Sequence, residues 1–188
     1  MLKNLFNEKK AAQAAAYFLL RAGGRLDVLK LMKLLYLADR ESMKRYGHPI
    51  SGDRYVSMDH GPVLSTTFNL INGAVRFVEQ GWNYWIADKA NYDVELKRKV
   101  SRESLDELSD ANLDVLSDIY AKFGKVDKWK LVDYTHRYCP EWTDPKGSSI
   151  PIDYEDIFKA LGHTPAEARK LSARLEQQRK MDRLFAKL

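Results

Sequence analysis

The sequence predicts a mainly helical α+β domain, a compact helical bundle around one buried central helix with a small β-hairpin set against it. Three observations predict this. Val28, Leu29, Leu31, Met32, Leu34, Leu35, Leu37 and Ala38 follow one another almost without a break. Further segments of helical period lie on both sides, bounded by capping residues and glycines. From Trp82 to Lys97 the apolar period shortens to two.

The rest of the chain reads as arranged to cover the central helix. Asp27 is a suitable N-cap, its carboxylate placed to accept from the free N–H groups of the first turn. Lys30, Lys33, Arg40 and Lys44, together with Leu37, fall on one narrow stripe, which reads as the exposed edge of a helix buried elsewhere. Leu31, Leu34, Leu35, Tyr36 and Ala38 are the expected core.

Before it, Asn7 to Arg21 is helical by its alanine content and stops at Gly23-Gly24, so the two helices form an αα-hairpin with Ala12, Ala15, Ala16 and Leu19 in close contact. After Gly47 the segment HPISGDRYVSMDHGP reads as a loop or short extended stretch. Pro62 opens a helix that Gly73 ends, placing His60-Gly61-Pro62 at a helix N-terminus. Trp82, Tyr84 and Ile86, then Tyr92, Val94 and Leu96, alternate with other residues about a turn at Asp88 to Asn91. A lone hairpin is marginal in water, so its aromatics must meet the helices or a partner. Ser109 and Asp127 cap two further helices, the second ending before Pro140. EWTDPKGSSIP reads as loop, Asp153 opens a short helix, and Thr164, Pro165 and Glu167 open the last one with a capping box.

One domain suffices for 188 residues, with 45% hydrophobic and 30% charged composition. Residues 1–163 read as the domain, including the N-terminal helix, and 164–188 as a basic amphipathic C-terminal helix. The last 24 residues carry seven basic and three acidic side chains, +4 of the net +5. The single Cys139 rules out an internal disulfide and fits a reducing, cytoplasmic setting. No apolar run approaches the ~18–20 residues of a membrane span, and the first ten residues lack a signal-peptide core.

Catalytic and cofactor chemistry lack their local devices. His48, Asp53, Asp59 and His60 share one loop without metal-ligand spacing, so loop hydrogen bonding is preferred to a metal site. His136 precedes Cys139 by three residues on a helix, but a cysteine before proline reads better as a packed side chain than as a nucleophile. Asp39 and Glu41 read as members of ordinary ion pairs with Arg40, Lys44 and Arg45. Phosphate-loop, dinucleotide and nucleophile-elbow patterns do not occur. The chain is expected to need no cofactor and to be no enzyme. Arg169, Arg174, Arg179 and Arg183 could lie along nucleic-acid phosphates, making a basic-tail nucleic-acid-binding regulator the alternative function.

KLMKLLYLADRESMKRYGHPISGDRYVSMDHGPV resembles the Panacea domain of SocA-like antitoxins. The K-L-x-K-L-L-Y-L-A-D helix falls at Lys30 to Asp39, the G-x-P-[IL] turn at Gly47 to Ile50, and the Y-V-x-M-x-x-G-P-V segment within Arg54 to Val63. LVDYTHRYCPEW and IDYEDIFKALG look like the closing helices, so the likeness covers roughly Arg25 to Gly162. It implies an antitoxin that neutralises a cognate toxin from the adjacent gene by protein–protein binding. Two modes are described in the family, direct inhibition and delivery of the toxin to a cellular protease, and the domain also occurs in phage-associated proteins. The toxin-binding candidates are Tyr55, Ser57, Asp59, His60, Gly61 and Pro62, on a segment tied to the buried helix with Ser57, Asp59 and His60 free to touch a partner. Contacts through the hairpin or the tail are the competing location.

Overall fold

A computed structural model of the chain describes residues 6–88 and 90–185. Residues 1–5, Lys89 of the expected turn, and residues 186–188 lie outside the described residues, as do the side chains of Asp88, Ala90, Arg179, Asp182 and Arg183. The chain is mainly helical α+β. Helices α1 (Glu8–Arg21) and α2 (Val28–Tyr46) are joined by β1 (Arg25–Asp27). The hairpin β2 (Tyr55–Met58) and β3 (Gly61–Leu64) leads into α3 (Ser65–Ile71). Then come α4 (Trp82–Trp85), β4 (Ile86–Asp88), β5 (Asp93–Leu96), α5 (Asp110–Phe123) and α6 (Lys128–Tyr138), followed by β6 (Ile150–Ile152), α7 (Tyr154–Ala160) and α8 (Pro165–Phe185).

Helix α2 is the centre. Asp27 caps it, accepting from Leu29 N at 2.9 Å, and Gly47 ends it at φ +75°. Leu31, Leu34, Leu35, Tyr36 and Ala38 are buried, and α1, α5, α6 and β3 pack around them. The expected exposed stripe is only partly exposed. Leu37 and Lys33 are buried, and Lys30 donates to Gly124 O at 2.6 Å. A lysine at stripe spacing can instead reach inward when a carbonyl waits for its ammonium, and Lys33 meets one.

The two small sheets are antiparallel, β1-β5-β4 and β3-β2-β6. The hairpin expected over Trp82 to Lys97 is shorter than the alternation suggested, because Trp82–Trp85 closes a helical turn that buries both tryptophans. It gains β1 as a third strand, the connection between α1 and α2 being extended rather than a bare turn. Pro62 lies in β3 and not at a helix start. It occupies an edge strand, where a residue lacking N–H interrupts no ladder on its free side, and the helix begins three residues later at Ser65. Residues 150–152, expected as loop, form β6 on the other side of β2. No described helix is long and apolar enough to cross a membrane.

Candidate binding tip on the β2–β3 hairpin

Helix α2 carries a polar face that points into the protein. Lys33, Tyr36 and Arg40 sit at i, i+3 and i+7, so they share one side of the helix. Lys33 Nζ donates to Pro62 O at 2.9 Å and is fully buried. Burial lowers its pKa to about 7, with the nearby Cys139 acting the other way. Tyr36 OH donates to Glu141 Oε1, and Arg40 Nε binds the same oxygen at 2.7 Å, which clamps the segment after α6 to the central helix. Cys139 is buried in that segment, and burial pushes its thiol up to about 12. At neutral pH it is a protonated, packed thiol and not a nucleophile.

Asp39, further along α2, holds the loop before β2. Its Oδ1 accepts from Ile50 N at 3.0 Å and Ser51 N at 2.9 Å, and its Oδ2 from Ser51 Oγ and from Tyr55 OH at 2.8 Å. Burial pushes its carboxyl up to about 6, while these donors pull it back down. The expectation of a surface ion pair thus holds for Glu41, which meets Arg45 at 2.7 Å, and fails for Asp39. Asp53 does similar work for α3. Its carboxylate accepts from Thr66 N, Thr67 N and Thr67 Oγ1 at 2.7–2.9 Å, so a residue twelve positions before the first residue of the helix supplies the cap that Leu64 cannot.

These clamps present one projection, the turn Asp59-His60 between β2 and β3. Met58 pairs with Gly61, so the loop is two residues long. The positive φ lies at Gly61, +96°, just after the turn. A Cβ built there would stand 2.6 Å from Thr135 Oγ1 and 3.0 Å from Lys33 Nζ. Gly61→Ala is therefore expected to cost about 2 kcal/mol or more, from left-handed backbone strain plus overpacking. Chemical denaturation checks it, and a loss below about 0.5 kcal/mol would mean that Lys33 and Thr135 give way freely.

Of the six candidate residues, Tyr55, Ser57, Gly61 and Pro62 are buried, and Asp59 and His60 are exposed. Ser57, expected from the sequence to be free, is buried and engaged: its Oγ accepts from Thr143 N at 3.1 Å. Tyr55 and Ser57 point the same way because strand side chains alternate, which puts both on the inward face. Asp59 Oδ1 accepts from Gly147 N at 2.9 Å. His60 stands edge-on to Trp129 of α6, centroids 5.3 Å apart, and Trp129 is 52% exposed. Beneath them Trp142 donates to Met58 O at 2.9 Å and carries His136 stacked on its ring at 3.8 Å.

Trp129, His136 and Trp142 were not among the candidates. They arrive from a helix and a loop about 70 residues or more further along the chain, and no local signal in the sequence ties them to the turn. His48 and Asp53 do not join Asp59 and His60, and no group of three or more metal-ligating side chains occurs among the described residues.

The arrangement sets two exposed polar turn residues, Asp59 and His60, beside the half-exposed Trp129 on strands clamped from α2. A family model described as "Antitoxin SocA-like, Panacea domain" matches residues 31–143, three fifths of the chain, and takes in α2 from Leu31 onward, the tip and α6. The chain belongs to this family. No curated protein and no solved structure matches it. The Panacea match ends at Thr143, directly after the Glu141 clamp and Trp142, so every residue of the tip lies inside it, while α7 and α8 lie beyond.

Proposed function

We propose that this chain is the antitoxin of a toxin–antitoxin pair, neutralising the product of the adjacent gene by direct, non-enzymatic binding through Asp59, His60 and Trp129. The supporting observation is the contrast within one hairpin: its strands are locked by Lys33, Asp39, Asp53 and Trp142, while its two turn residues, Asp59 and His60, are exposed to solvent. Exposed groups on a held backbone lose little conformational entropy when a partner arrives. An aromatic beside polar groups is also the usual composition of an energetic hot spot. Direct inhibition needs no more than this surface. Delivery to a cellular protease would require a second surface and a second partner. A cytoplasmic site of action fits the lone, buried Cys139 thiol.

The test combines Asp59→Lys, His60→Ala and Trp129→Ala in the full chain. The Asp59 change gives up one exposed hydrogen bond, worth about 1 kcal/mol, so the fold should still melt cooperatively. Affinity for the purified neighbouring gene product is expected to fall about 30-fold or more, equivalent to a hot-spot loss of about 2 kcal/mol, and growth rescue to fail. A folded triple variant with unchanged affinity would move the interface elsewhere.

A further inference from the structure

Helix α8 is supported along only part of its length. Ala168 and Leu175 are buried against the body, Leu171 Cδ2 approaches Gly47, and α7 packs alongside. Leu175 and Gln178 form one wall of an open 270 Å³ groove whose other wall includes His48, Pro49 and Ile50. The stripe 171, 175, 178 continues at helical spacing to 181 and 185. Beyond Gln178 the body no longer covers it: Met181, Leu184 and Phe185 are 54%, 64% and 66% exposed. Three large apolar side chains at i, i+3 and i+4 within two turns are not the scattered singles of an ordinary surface.

Their surroundings select a partner. Arg169, Lys170, Arg174 and Lys180 are exposed on the same helix, and the segment from Pro165 onward carries most of the chain's net positive charge. A second copy would bring an equally basic tail, so like charges oppose self-association through this end. Short reach and few anchors also match a protein groove better than a bilayer, where binding strength grows with the apolar area immersed.

We propose that the free end of α8, through Met181, Leu184 and Phe185, docks helix-in-groove into an apolar groove with an acidic rim on the toxin, as a second contact separate from the β2–β3 tip. This rests on the antitoxin reading above. The anchors supply the buried centre and the basic residues steer association, so the contact should weaken with salt.

The experiment uses the full chain with Met181→Ser, Leu184→Ser and Phe185→Ser together, titrated against the purified neighbouring gene product. The three side chains are exposed, so the melting temperature should not fall. Affinity is expected to drop at least about tenfold, and the wild type's loss of affinity between about 50 and 300 mM salt, as the Debye length shortens through ~10 Å, is expected to be reduced by Arg174→Glu with Lys180→Glu. Unchanged affinity in the serine variant, with wild type bound, overturns the tail contact and leaves the antitoxin reading standing. The same result accompanied by lost binding to phosphatidylserine vesicles, or to a 20-base-pair duplex, overturns it in favour of lipid or nucleic acid. Wild type that binds no toxin at all overturns both (duplex length about two turns of DNA).

Discussion

Leu35→Ala is expected to lower the free energy of unfolding by about 2–5 kcal/mol, the sum of lost transfer free energy and the cavity left behind. Leu35 lies in the middle of α2 and is buried, with the neighbouring Leu31, Leu34 and Ala38 equally enclosed. The helix is packed by α1, α5, α6 and β3, so no single neighbour can move into the gap without leaving another. Equilibrium denaturation in urea measures the loss, and a value below about 1 kcal/mol would mean that α2 is not the structural centre. The consequence reaches function, because Lys33, Tyr36, Asp39 and Arg40 hold the tip from the same helix.

The second large effect is on pH dependence. Lys33 is buried under β3, where Pro62 O accepts its hydrogen bond and Thr135, Cys139 and His136 surround it. Its folded pKa of about 7 lies below the ordinary 10.5, so between those values the unfolded chain binds more protons than the folded one. Stability contributed by this group therefore rises with pH through that window, and the cost of burying the ammonium is fully felt below it. Cys139 acts oppositely above the ordinary thiol value of 9.0, because its folded pKa is raised to about 12. The clean interval is about pH 7 to 8.5, over which Lys33 should add on the order of 2 kcal/mol. Lys33→Met removes the titrating group, and its stability should stay flat or fall slightly over the same interval. Parallel slopes for the two proteins would show that Lys33 does not titrate there.

Much of the fold was legible because its signals are local. Asp27, Ser109, Asp127 and Thr164 cap helices as their side-chain chemistry suggests, and Gly47 stops α2 in the left-handed conformation. The failures share a cause, which is that the deciding partner is distant in sequence. Lys33 looked exposed because helical period marks a face without saying whether a carbonyl awaits it there. Asp39 looked like a surface acid because its donors Ser51 and Tyr55 lie beyond the end of the helix. Pro62 suits a first helical turn and an edge strand equally, and only the pairing with β2 decides. At the tip, Asp59 and His60 could be found from their turn position. The inward direction of Ser57 was available from strand alternation with Tyr55, but Trp129 and Trp142 come from another part of the chain.

The central claim is neutralisation of a partner made by the neighbouring gene. Co-expression of that gene with and without this chain, followed by copurification of the pair, tests it most directly. Growth arrest by the neighbour alone, restored growth with the wild-type chain, and a stable complex that the Asp59→Lys, His60→Ala, Trp129→Ala variant fails to form are the expected results. A harmless neighbour, or a toxic one whose arrest this chain does not relieve, would contradict the account.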